Sequence, residues 1–236
     1  MKVVLFCGGL GMRLREYSEN IPKPMVPIGN RPIIWQLMKY YAHHGHQDFV
    51  LCLGHNAHVI KDYFLNYDEC ASNDFILEGN REPTLIKKDI EDWKILFSDT
   101  GLHSNIGMRL KAVEPYLKDE EMFMANYSDG LSDLPLDDMI QFFKDSDKIA
   151  CFLCVKPNQT FHYVKLANDG TVEAIQDTTK SGLTVNGGYF IFKQAIFDYI
   201  KDGEELVHEP FERLIADNQL VAYQYDGYWS CMDTFK

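Results

Sequence analysis

The chain has 236 residues and a formal net charge of −12, enough for one large domain with a sizeable core. The acidic balance argues against a nucleic-acid partner, because a basic face that neutralises phosphates supplies much of that affinity. No apolar stretch is long enough to span a bilayer, and the first apolar run meets glycine too soon for a signal peptide, so a cytoplasmic protein with no membrane partner is expected.

Residues 3–6 read as a buried strand running straight into Cys7, Gly8, Gly9, Leu10 and Gly11. Ile33, Ile34, Leu37, Met38 and Tyr41 fall on one helical face and predict a helix over 32–44. A strand over 48–53 and a helix over 57–67 follow, then a polar, irregular insertion over 68–89. Further on come a strand over 93–97, a helix over 106–117 ending near Pro115, a strand over 122–127, a helix over 135–143 and a strand over 149–155. This alternation predicts an α/β fold, a largely parallel sheet with helices on both faces. Such sheets take ligands at the carboxyl ends of their strands, which brings together the loops after Phe6, after Tyr127 and around Asp99. Beyond residue 155 the pattern is less regular. Strands over 163–167 and 172–176 flank Asn168-Asp169-Gly170, a hairpin signal. A strand over 188–192, helices near 194–200 and 210–216, and closing strands over 220–225 and 228–232 around the Asp226-Gly227 turn complete the chain. A single domain is expected, with 1–155 as a nucleotide-binding core and 156–236 as a closing, acceptor-binding part.

Cys7, Cys52, Cys151, Cys154 and Cys231 lie in apolar runs, as reduced buried thiols do. Cys151 and Cys154 are three apart on a strand, so they point to opposite faces and cannot share a metal. His43, His44 and His46 cluster at a helix end without a suitably spaced carboxylate or cysteine, and no metal site is read there.

Glycines directly after a buried strand permit close backbone approach and let consecutive amides point at an anion. Arg13 in the same loop can fork onto phosphate oxygens, and Lys23 between Pro22 and Pro24 adds a second positive charge on a stiffened segment. A dinucleotide fingerprint needs glycine where Leu14 stands, and no Gly-Lys-Ser/Thr of a Walker loop occurs. On the glycines alone, a plain turn with Arg13 as surface charge is an equal reading. Asp129, after the strand over 122–127 and before Gly130, sits at the ligand edge; a turn-forming aspartate is its bland alternative.

The segments Gly8-Gly9-Leu10-Gly11-Met12-Arg13-Leu14 and Ile21-Pro22-Lys23-Pro24-Met25-Val26 resemble the signature of sugar-phosphate nucleotidyltransferases. Gly107-Met108-Arg109-Leu110-Lys111, Asn186-Gly187-Gly188-Tyr189-Phe190 and Met232-Asp233-Thr234 look like blocks of the glucose-1-phosphate cytidylyltransferases among them. The resemblance implies a Rossmann-like, mostly parallel sheet of the nucleotide-diphospho-sugar transferase type with a small β-rich acceptor-binding region. It implies CTP and a phosphorylated acceptor as substrates, a place in nucleotide-sugar and polysaccharide biosynthesis, and it admits a homo-oligomer. By resemblance, Gly8, Gly9, Gly11, Met12, Arg13, Lys23, Arg109 and Gly130 bind the nucleotide, with Arg13 on the leaving pyrophosphate, Lys23 near the α-phosphate and Arg109 on phosphates. Asp129 and Asp233 hold Mg²⁺, with Arg13, Lys23 and Asp129 as the catalytic set. Asn186, Gly187 and Glu209 belong to the acceptor pocket, although a carboxylate at a helix N-terminus explains Glu209 equally well. The family's acceptor lysine, in a Glu-Lys-Pro after the strand over 172–176, is replaced by Thr178. Lys180 lies two residues on and is either its substitute or a solvated loop charge. The competing readings are an acceptor such as phosphoglutamine, or a non-catalytic nucleotide-binding subunit.

Overall fold

The computed structural model describes residues 1–9, 21–79, 81–157, 162–178 and 182–232. Its centre is a seven-stranded sheet. In chain order the strands are β1 (Val3–Phe6), the short pair β2 (Pro27–Ile28) and β3 (Arg31–Pro32), β4 (Asp48–Leu53), the hairpin β5 (Phe75–Leu77) and β6 (Pro83–Leu85), β7 (Lys94–Asp99), β8 (Met122–Asn126), β9 (Gly130–Ser132), β10 (Ala150–Val155), the hairpin β11 (His162–Leu166) and β12 (Val172–Asp177), β13 (Val185–Lys193), β14 (Leu220–Tyr225) and β15 (Trp229–Cys231). The helices are α1 (Ile33–His43), α2 (Ala57–Leu65), α3 (Ile106–Val113), α4 (Leu136–Ser146), the single turn α5 (Ile196–Tyr199) and α6 (Glu209–Ala216).

The central order is β14-β10-β13-β8-β1-β4-β7. β1 pairs in parallel with β4 and β8, and β7 with β4, while β13 runs antiparallel between β8 and β10. The expected mostly parallel sheet is therefore present. Alternation along β1 explains how both faces are covered. Val3, Leu5 and Cys7 enter a core with α1, α2 and α4, whereas Val4 and Phe6 enter another with α3, α5 and α6.

The closing strands are present around Asp226-Gly227, but they do not pair with each other: β14 joins the central sheet parallel to β10, while β15 crosses to pair antiparallel with β9. The insertion over 68–89 is polar but not irregular throughout. It carries the β5–β6 hairpin and is moored by Asp89, which accepts bonds from Ser72 Oγ, Tyr67 OH (3.1 Å) and Asn73 Nδ2 (2.8 Å). Buried Arg31 bonds Tyr63 OH, Ser72 Oγ and the Asp68 carbonyl beside it. All the cysteines carry free thiols. No helix among the described residues is long and apolar enough to cross a membrane.

Candidate active site

The connection from β1 goes to one side of the sheet, and β8 returns on the other. The carboxyl ends of β1 and β8 thus frame a topological switch point, where open α/β sheets bind ligands. A cleft of about 740 Å³ opens there, with Gly8, Gly9, Lys23, Arg109, Tyr127 and Asp129 among its walls. The loop after β7, through Ser104, and the loop before α6, through Glu205 and His208, close its far side.

Lys23 and Asp129 meet in this cleft. Lys23 opens a 3₁₀ turn, Lys23–Met25, preceded by extended Pro22. Asp129 is aimed by Ser128, whose φ of +62° puts a non-glycine residue in the left-handed region. Such a residue costs about 1–3 kcal/mol and persists only where its surroundings over-determine it. Here Ser128 Oγ donates to the Phe6 carbonyl (2.7 Å) and its N–H donates to Asn126 Oδ1 (2.9 Å), tying the turn after β8 to the end of β1. The Lys23 ammonium lies 2.6 Å from Asp129 Oδ2, with the side chains only 15% and 23% exposed. From the other side the Met232 N–H donates to the Asp129 carbonyl (2.8 Å), continuing the β9–β15 pairing. Gly130, buried at the start of β9, accepts a bond from Tyr189 OH at its carbonyl.

Arg109 was expected on the nucleotide's phosphates. It lines the cleft but is 2% exposed, held by backbone and hydroxyl oxygens. Nη1 donates to the Leu53 carbonyl (3.0 Å) and Thr100 Oγ1 (2.7 Å), and Nη2 to the Gly8 carbonyl (2.8 Å). Burial lowers its pKa from the ordinary value, yet a guanidinium remains a cation. The backbone lies so close that a Cβ on Gly8 would stand 2.1 Å from Nη1, and one on Gly54 2.9 Å from it. Gly8 is therefore glycine because of Arg109, a requirement separate from close approach to phosphates. Helical spacing carried the signal: Ile106, Arg109, Leu110 and Val113 form one stripe of α3, so the arginine sits among apolar positions.

On the acceptor side, Asn186 and Gly187 form the irregular start of β13. Asn186 Nδ2 donates to Tyr127 OH (3.3 Å), Asn186 Oδ1 accepts from the Gly188 N–H (2.9 Å), and the Gly187 carbonyl accepts from Trp229 Nε1 (2.8 Å). Glu209 is exposed as the first residue of α6 and is not among the cleft walls. Thr178 follows the end of β12. Gly11, Met12, Arg13, Lys180 and Asp233 lie outside the described residues.

Several cleft residues were not anticipated. Burial pushes the Cys7 thiol up to about 12, only partly opposed by Ser128 and Arg109, so it is a neutral wall and not a nucleophile. Burial, with the nearby Glu205 charge adding to it, raises Tyr127 well above the usual phenol value and keeps its hydroxyl protonated. Glu205 accepts from the N–H groups of Ile106 (3.3 Å) and Leu206 (3.1 Å) and so caps the start of α3.

Residues 2–234 match the family model described as nucleotidyl transferase. The chain is 37% identical over its whole length to the glucose-1-phosphate cytidylyltransferases of Salmonella typhimurium and Salmonella typhi, covering 92% of each. The chain belongs to the nucleotidyl transferase family. Among solved structures, the UTP-bound UGPase of Acinetobacter baumannii superposes with a TM-score of 0.70 at 18% identity, covering 99% of this chain and 89% of that one. That likeness establishes the shared nucleotide-diphospho-sugar transferase fold, and family membership makes the chain a nucleotidyltransferase.

Proposed function

We propose that this nucleotidyltransferase transfers a cytidylyl group from CTP to glucose 1-phosphate and releases pyrophosphate, in the cytoplasm, supplying a nucleotide sugar for polysaccharide biosynthesis. The observation carrying this reading is the Lys23–Asp129 pair at the switch point, in a chain 37% identical to glucose-1-phosphate cytidylyltransferases.

An oxygen of the acceptor phosphate attacks the α-phosphorus of CTP, the bond to the bridging oxygen breaks, and pyrophosphate leaves with the electron pair. The acceptor phosphate is already ionised at neutral pH, so no strong general base is needed, and catalysis rests on positioning and charge neutralisation. Lys23 is assigned to the α-phosphate and Arg13 to the departing pyrophosphate. Gly8, Gly9, Gly11 and Met12 form the backbone cradle, and Gly130 supports the nucleotide beside Asp129. The Lys23–Asp129 contact keeps both side chains facing the cleft until the nucleotide separates them.

A divalent cation fits the donor set. Asp129 offers a partly exposed carboxylate, and Met232, bonded to the Asp129 carbonyl, precedes Asp233 in the chain. Asp129 and Asp233 would hold Mg²⁺, whose usual shell is one or two carboxylates with phosphate oxygens and water, and which neutralises charge on those oxygens. Asn186, Gly187, Lys180 and Glu209 are assigned to the acceptor, within the part formed by 156–236.

Thr178 favours a second reading, in which the acceptor is another phosphomonoester such as phosphoglutamine. Pyrophosphate release measured with CTP, Mg²⁺ and a panel of phosphomonoesters decides between them. Glucose 1-phosphate is expected to give the highest kcat/KM. In that assay Lys23→Ala and Asp129→Asn should each lower kcat at least about 100-fold with circular dichroism unchanged. Near-full turnover in both would overturn the site, and no turnover with any acceptor would leave a nucleotide-binding subunit.

A further inference from the structure

The Arg109 guanidinium is deeply buried, lies at the floor of the cleft and reaches no carboxylate within ion-pair distance among the described residues. Two of its bonds go to the carbonyls of Leu53 and Gly8, the residues at the ends of β4 and just beyond β1. The Gly8 carbonyl also receives the His55 N–H (3.4 Å). The peptide group is planar and trans, so its carbonyl and the following N–H point in opposite directions. A Gly8 carbonyl drawn down onto Arg109 therefore turns the Gly9 N–H away from the core. Gly9 is exposed, lines the cleft, has open space where a Cβ would stand, and its N–H meets no acceptor among the described residues.

We propose that Arg109 is a positioning residue: it fixes the plane of the Gly8–Gly9 peptide so that the Gly9 N–H is presented to the phosphates of the bound nucleotide. This rests on the triphosphate-binding reading above and replaces the direct phosphate contact expected of Arg109. A donor that is oriented before the ligand arrives need not reorganise when it binds. The two close glycine contacts follow from the same arrangement, since Gly8 and Gly54 let the backbone lie on the guanidinium.

The test uses the full chain labelled with ¹⁵N and titrated with pyrophosphate, CTP and cytidine. In the wild type the Gly9 amide resonance should move downfield with pyrophosphate and CTP but not with cytidine. Arg109→Lys keeps the charge but not the planar fork. It should abolish that movement and weaken CTP about 10-fold or more, leaving cytidine affinity within about twofold. Thr100→Val, which leaves Arg109 in place but removes one of its tethers, should give a smaller loss of the same selective kind and guards against a misfolded lysine variant. A Gly9 amide that stays unmoved while CTP binds the wild type overturns the proposal. So does an equal loss of cytidine and CTP affinity in both variants. Failure of the wild type to bind CTP at all would instead overturn the functional reading.

Discussion

Gly8→Ala probes the contact between the glycine loop and Arg109 most directly. A Cβ there would lie 2.1 Å from Arg109 Nη1 and 2.3 Å from Cζ. Restoring an ordinary contact requires the guanidinium to recede by about 1 Å or more. It is held by bonds of 2.7–3.0 Å to Thr100, Gly8 and Leu53. Hydrogen bonds to a charged group contribute about 1.5–3 kcal/mol each, so losing two of them costs about 3–6 kcal/mol. A chain of this size loses about 2–4 °C in Tm per kcal/mol, and the expected fall is about 10 °C. Gly9→Ala is the internal control, since nothing lies within 4 Å of its Cβ position. It should change stability by less than about 0.5 kcal/mol. Thermal and urea unfolding of both variants, and of Gly8→Ala combined with Arg109→Ala, provides the measurement. The double variant should be destabilised by clearly less than the sum of the two single changes. Equal stability of the Gly8 and Gly9 variants, or full additivity in the double variant, would refute the reasoning.

Three further outcomes are expected. Trp229→Phe removes the donor to the Gly187 carbonyl; stability should fall by about 1 kcal/mol, and KM for the acceptor should rise several-fold while KM for CTP stays constant in steady-state kinetics. Asp89→Ala leaves buried Arg31 beside an empty position and should cost about 3 kcal/mol, with faster hydrogen exchange confined to residues 66–92. Burial and the adjacent N-terminal ammonium push His46 down to about 4. The folded state thus resists a proton that the unfolded chain accepts near 6.5. Its contribution is intact above that value and is lost as pH falls from about 6.5 towards 4, so urea midpoints of His46→Gln should decline less steeply than those of the wild type over that range.

The parallel half of the sheet was legible because both-face burial writes itself as continuous apolar runs; β1 and β4 have the bounds that the runs predict. The positions of Lys23 and Asp129 could be inferred only as two loops at the same sheet edge. Their contact depends on the left-handed Ser128, and serine carries no local signal for that backbone. β13 was anticipated as a strand but not as the antiparallel member between β8 and β10, since direction is decided by which edge remains open after the other strands have paired. β14 and β15 are legible as closing strands around Asp226-Gly227, but sequence does not say that Trp229–Cys231 finds its partner at Gly130–Ser132. Arg109 is placed on the phosphates by resemblance alone, whereas the structure buries it beneath Gly8. The apolar stripe it shares with Ile106, Leu110 and Val113 is the clue to that burial.

The antiparallel entry of β13 has a consequence for how such enzymes diversify. Val155, the last residue of β10, is paired with Val185, the first of β13. The β11–β12 hairpin lies between them in the chain and hangs from this closed rung at the edge that carries the cleft. A stem whose two ends are already paired accepts a longer, shorter or unrelated excursion at little entropic cost, because closure depends only weakly on what is closed. Under the proposed division, with 156–236 receiving the acceptor, exchange of that one segment between relatives should change acceptor choice and leave the nucleotide affinity of the remaining frame unchanged.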